Sequence, residues 1–402
     1  MTLFGWELIK ILKRRMTRVI LAVSLVLAAG SALFLGFSNY SFGVEVAAPT
    51  WQARSRSVQA TADAAAWHGP LTAETLQAAR DRCRTVLQQP AGDLDGADAY
   101  VAGDILYMAA RVFTEAGEIS WANWPAQSTA LDDDALAQLY TLRARNVAAM
   151  IDAAPADRQA ALRVLNDRVR IPFVYDWVDG HEAEIVQLGN VIFLVGLLLC
   201  AAVAPVFCGE VHTRVYTVSH CARHGRGRLA AAKLAAALVF AGGAFAVCTG
   251  VFVAVQLALF GARGLSASLQ ITAPDCVLPL SYGQAEAWLL LGGLVSCLAG
   301  VAITAALSAR LDSEFPVLLV LFALLVFLRA LVEAGMLGGP LEPLSQSLPF
   351  LSGLQEFLDN RLLALPGGPA LPAPWYRLAV QPLYLVVLLP LAWRWYVRRQ
   401  VR

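Results

Sequence analysis

Long apolar runs separated by short polar interruptions make up most of this chain. Apolar residues dominate 19–38, 185–207, 234–260, 287–307, 317–337 and 376–396. At about 1.5 Å of rise per residue, a helix of some twenty residues crosses a hydrocarbon core of roughly 30 Å. The pattern predicts an all-α polytopic membrane protein with six transmembrane helices. The first run is longer than a signal-peptide core and no small-x-small cleavage site closes it, so it reads as an uncleaved first span.

Two stretches depart from that rhythm. Ahead of the first span, FGWELIKILK puts Phe4, Leu8, Ile11 and Leu12 on one helical face and Glu7, Lys10 and Arg14 on another, with Trp6 near the boundary. Residues 1–18 therefore read as an amphipathic helix in the membrane interface. Residues 39–184 are polar, acidic and Ala-rich, with no run long enough to span. Within them Leu76, Ala79, Cys83 and Val86, then Val101, Ile105, Met108 and Val112, then Leu136, Leu139, Arg143, Val147 and Met150 recur at helical spacing. Asp132 to Asp134 precede the third of these runs as helix-start residues. This segment is expected to be a helical extracellular domain between helices 1 and 2. A second external or re-entrant segment, 338–374, is Pro/Gly-rich. There Phe350, Leu354, Phe357, Leu358 and Arg361 suggest one short interfacial or re-entrant helix.

Composition strengthens the membrane reading. Hydrophobic residues make up 58% and charged residues 15%, against about 45–50% and 25% in soluble domains. The net charge of +1 carries no message, but its distribution does. The loop 208–233 holds Arg214, Arg223, Arg226, Arg228 and Lys233 against one carboxylate, Glu210. Basic residues also follow the first helix (Lys13, Arg14, Arg15, Arg18) and close the chain (Arg398, Arg399, Arg402). Lys and Arg are retained on the cytoplasmic side during insertion. Six spans with these clusters on one face place both termini in the cytoplasm of a multi-pass plasma-membrane protein. The scarcity of Lys beside abundant Arg and Ala suggests a bacterial coding sequence.

The chemistry that the sequence lacks narrows the function. There is no G-x-x-x-x-G-K-[ST], H-E-x-x-H or G-x-S-x-G and no Cys/His ligand spacing. No catalytic residue, cofactor or metal site is expected on this chain, and no nucleic-acid partner. His212, His220 and His224 read as solvated loop residues. Of seven cysteines, only Cys83 and Cys276 fall in external segments, which leaves a bridge between them open. Arg329 and Glu333 lie inside the fifth apolar run, where an ionisable side chain costs a few kcal/mol. Their i,i+4 spacing allows pairing. They either snorkel to the interface, or face a pathway or hold the re-entrant segment.

The exit of the second span, with Phe207, Glu210, a stretch near Ser219 and then HGRGRLAAAKLAAALVF, resembles the cytoplasmic loop of ABC-2 type transporter permeases. In that family an acidic residue after the second helix, a Gly-Arg turn and a Lys opening the third helix recur. The interfacial N-terminal helix, six spans and two external segments resemble the family's topology. Where the family commonly has small residues before the Gly-Arg turn, this chain has Cys221, Ala222, Arg223 and His224. The resemblance implies a permease subunit of an ATP-driven exporter, paired with a second permease subunit and with a P-loop ATP-binding subunit that carries the ATP. The coupling loop would comprise Glu210, Tyr216, Val218, Arg223, Gly225, Arg226 and Lys233, with a coupling helix near 210–220. The alternatives are a non-transporting membrane receptor or scaffold with a sensory ectodomain, and a membrane-embedded enzyme.

Overall fold

The computed structural model of the chain describes residues 2–38, 50–88, 97–113, 124–213, 215–221, 226–334, 336, 342–351, 353–364 and 368–399. Among the described residues six helices are long and apolar enough to cross a membrane: Arg15–Gly36, Gly180–Val211, Gly227–Phe260, Tyr282–Arg310, Glu314–Leu331 and Ala373–Arg398. The chain is a multi-pass membrane protein. The spans correspond to the six apolar runs, but most extend several residues further into flanking polar sequence. Backbone hydrogen bonds must be closed within the helix wherever lipid replaces water, so helices continue until the polar interface is reached.

The second, third and fourth spans pack against one another, the first span lies across the second and third, and the sixth lies along the fourth. The fourth starts at a capping box in which Ser281 and Gln284 bond each other's backbone amides. The second is broken at Pro205, which lacks an amide hydrogen and opens the helix Pro205–His212. Ser308, fully buried on the fourth span, repairs the break. Its hydroxyl donates to the Ala204 carbonyl at 2.6 Å and accepts from the amides of Phe207 and Cys208 at 3.0 and 3.1 Å.

At the end of the bundle away from the termini, the polar segment forms a helical layer. Its longer helices are Trp51–Asp63, Ala73–Leu87, Ala97–Phe113, Leu139–Ala153 and Ala156–Asn166. The runs marked by Leu76 and Val101, and the third run from Leu139 onward, fall on three of these and supply the layer's core, whereas Leu136 lies on a separate short helix, Asp133–Ala137, that Asp132 caps. Residues 39–49 and 89–96 lie outside the described residues. The loop between spans three and four completes the layer. Buried Arg143 donates to the carbonyls of Pro274 and Cys276 at 2.9 and 3.1 Å and to Asn166 Oδ1 at 2.8 Å. Cys83 and Cys276 are both free thiols, so no bridge joins them.

The segment before the sixth span departs from expectation. Only Gln355–Leu358 of the expected helix is helical, followed by the antiparallel strands Leu362–Ala364 and Ala370–Pro372. Upstream of it the chain turns inside the bundle at Phe350, whose φ of 66° is left-handed. The Phe350 ring is buried against Gly196 of the second span and Gly300 of the fourth. Gly300 lies about two-thirds of the way along its helix, roughly 27 Å of rise from Tyr282, so the segment enters deeply. Its apolar residues Phe350, Leu354 and Phe357 are buried without forming one helical face.

A Cβ on Gly196 would overlap the Phe350 ring, and one on Gly300 would stand 3.0 Å from it. Gly196→Ala is expected to lower stability by about 1–3 kcal/mol through overpacking, seen as a lower thermal midpoint. Adding Phe350→Leu should recover part of the loss. An unchanged midpoint in the single variant would show that Phe350 does not occupy this slot.

Candidate functional site

The basic loop read from the sequence is mostly helix. Pro205–His212 and Val215–Cys221 form two short helices, and the third span begins at Gly227. Glu210 and Lys233 therefore lie on helices and not in a loop. The expected coupling helix near 210–220 is divided, with Glu210 on the first piece and Tyr216 and Val218 on the second.

Glu210 and Lys233 meet. Lys233 is 1% exposed, and its ammonium donates to Glu210 Oε1 at 2.7 Å, to Glu7 Oε2 at 3.0 Å and to the Val206 carbonyl at 3.4 Å. Three acceptors match the three hydrogens of an ammonium. Lys10 donates to Glu7 Oε1 at 2.7 Å and to Glu210 Oε1 at 3.3 Å. Tyr396 of the sixth span donates its hydroxyl to Glu210 Oε2 at 3.1 Å while its ring packs on Phe207, centroids 4.7 Å apart. Two carboxylates and two ammonium groups thus form a neutral, hydrogen-bonded cluster at the terminal end of the bundle. It joins the N-terminal helix Leu3–Lys13 to spans two, three and six.

The cluster changes the reading of the N-terminal helix. Glu7, assigned to its water-facing side, is 5% exposed and faces the bundle, because Lys233 needs a second carboxylate. Lys10 remains half-exposed. Burial would lower its pKa, but the bonds and charges of Glu7 and then Glu210 outweigh that and raise it above the ordinary 10.5. Sequence reasoning missed Glu7, Lys10 and Tyr396 as members. The signal available was local: Glu7 and Lys10 are an i,i+3 pair beside an apolar stripe.

Around this cluster the remaining loop residues take different positions. Tyr216 is buried, whereas Val218 is 75% and Val215 50% exposed, so the helix Val215–Cys221 presents apolar groups outward. Arg226 is exposed at the start of the third span, one residue before Gly227, whose carbonyl accepts from Trp393 Nε1 at 3.0 Å. Arg223 and Gly225 lie outside the described residues, as does the side chain of Glu333.

Arg329 turns inward and holds the re-entrant segment. Its guanidinium donates to the Phe350 carbonyl at 3.1 Å and stands over the Phe193 ring at 4.2 Å. Five residues of π-helix, Ala323–Phe327, widen the fifth span just before it. Arg377 of the sixth span secures the same segment. It donates to the Gln346 carbonyl at 2.9 Å, to Gln346 Oε1 at 2.7 Å and to the Leu351 carbonyl at 2.8 Å, and it pairs with Glu356. Among the described residues no group of three or more His, Cys, Asp or Glu could hold a metal ion.

Removing one partner of a buried charge pair strands the other, at about 3–5 kcal/mol. Lys233→Met is therefore expected to destabilise the chain by about that amount, measured by thermal unfolding in detergent. Lys233→Met combined with Glu210→Gln should cost less than the sum of the two single changes. Additive losses would show that the two groups do not interact. No family model matches the chain, and neither the curated proteins nor the solved structures yield a match.

Proposed function

We propose that the chain is the permease subunit of an ABC-2 type exporter, driven by a separate P-loop ATP-binding subunit. The observation that carries this reading is the charge cluster, which ties Pro205–His212 rigidly to the N-terminal helix and to spans two, three and six. A helix pair at the membrane surface can pass on movement only if its attachment to the spans is stiff. Lys233 and Glu210 supply that stiffness through short, buried, charge-assisted bonds. The outward-facing Val215 and Val218 then form the contact for the ATPase.

In this reading the terminal face is cytoplasmic. Lys13, Arg15, Arg18, Arg226, Arg228 and Arg398 gather there, as positive-inside retention requires, and the helical layer stands outside. ATP binding and hydrolysis on the partner move the surface helices. The cluster carries that motion to spans two, three and six, of which the second and sixth also hold the re-entrant segment. Two permease subunits enclose the substrate path. This chain performs no bond-making chemistry.

Purification from the native membrane in mild detergent is expected to bring a P-loop ATPase with the chain, and reconstitution of the two should change the ATPase rate. Val218→Asp should weaken their association by about tenfold or more, as for a buried apolar interface contact, with the thermal midpoint of the chain unchanged. No ATPase partner, together with no rate change on reconstitution, would remove the transporter reading and leave a receptor or scaffold.

A further inference from the structure

The seam between the helical layer and the bundle holds more buried acid than base. Glu182 and Glu184 project from the second span, Glu286 from the fourth, Asp176 from the strand end before the second span and Asp104 from the helix Ala97–Phe113. Glu184 is 0% exposed, Asp176 2% and Glu286 5%. The bases that face them are few. His181 Nδ1 lies 2.9 Å from Glu184 Oε2, and His68 Nδ1 lies 3.1 Å from Asp176 Oδ2. Arg111 contributes its charge near Glu182 but spends a hydrogen bond on the Thr272 carbonyl.

The carboxyl groups also face one another across elements. Asp104 lies within electrostatic range of Glu182, and Glu184 of Glu286. Hydroxyl groups tie the set together. Tyr175 donates to Asp104 Oδ2 at 3.1 Å, and Thr272 donates to Glu182 Oε2 at 2.9 Å while contacting the Tyr282 hydroxyl. Glu184 Oε1, fully buried, has no hydrogen-bond partner among the described residues. A buried acceptor without a donor is costly, and carboxyl groups that share a dry site repel once charged.

We propose that this seam is a proton-operated latch: with a proton on the Asp104 carboxyl the helical layer seats on the spans, and as that group ionises the contact loosens. Asp104 is the member on the moving side. The groups facing it are Tyr175 from the strand Val174–Tyr175 and Glu182 from the second span, and Arg111 of its own helix acts on Glu182. Burial pushes its carboxyl up to about 6, with the Tyr175 bond holding it back. A carboxyl whose value is raised in the seated state binds its proton more tightly there. The contribution of Asp104 to seating is therefore strongest near pH 4, weakens as pH rises to about 6 and stays level above that. Under the orientation proposed above, the latch senses the external medium, although its operation does not depend on an ATPase.

Hydrogen exchange of the full chain in nanodiscs, corrected for intrinsic rates, tests this at the helix Ala97–Phe113. Wild-type protection there should fall by roughly tenfold or more between pH 4 and pH 6, with little change in the spans. Asp104→Asn should stay protected and lose the pH response. Tyr175→Phe removes the bond that favours the carboxylate and should move the midpoint to higher pH, which keeps the idea testable if the Asn variant does not fold. Level wild-type protection across that range, or an Asn variant with the wild-type response, would overturn the latch.

Discussion

A lysine ammonium cannot remain in the dry end of a helix bundle unless every hydrogen on it has an acceptor and its charge has a counter-charge. Lys233 imposes that condition on two other parts of the chain, the N-terminal helix and Pro205–His212. It draws Glu210 back from the second span, turns the N-terminal helix so that Glu7 faces inward, and takes the Val206 carbonyl beside the Pro205 break. Glu210 in turn sets the place of Tyr396. A buried ionic network is weak evidence of stability in itself, because desolvation offsets much of the attraction. Its consequence here is geometric, since each helix has one orientation in which the cluster is satisfied.

The same logic recurs at other depths. Breaks in regular structure are placed where a side chain from a neighbouring element can complete the backbone. Ser308 does this for the Pro205 break, Arg329 for the turn at Phe350 and Arg143 for the loop at Pro274 and Cys276. Irregular backbone at membrane depth is tolerated only when buried in protein in this manner. The intramembrane arginine thereby has a structural reason that is independent of any transported substrate.

The six spans were legible because length and apolarity are properties of contiguous sequence, and they decide crossing irrespective of neighbours. Three helices of the polar layer were legible through the period of Leu76, Val101 and Leu139 for the same reason, whereas Trp51–Asp63 and Ala156–Asn166 were not read from the sequence. Glu210 and Lys233 could be singled out within one stretch, but their meeting with Glu7 and Tyr396 joins positions some two hundred residues apart, and no local pattern encodes it. The re-entrant segment was misread as a helix because apolar spacing of three and four is shared by a helix face and by an irregular chain that touches several spans. Phe350 shows the difference. Its left-handed φ and its seat between two glycines follow from spans distant in sequence.

Phe350 also bears on how the protein is made. Its slot is formed by Gly196 and Gly300, its carbonyl is held by Arg329, and the segment before it is fastened by Arg377. These contributors follow one another along the chain, with Arg377 of the sixth span after the rest. The slot itself needs only spans two, four and five, whereas the bonds from Arg377 to Gln346 and Leu351 can form only after the sixth helix has been made. Seating the ring and fastening the segment are thereby separable, in that order along the chain.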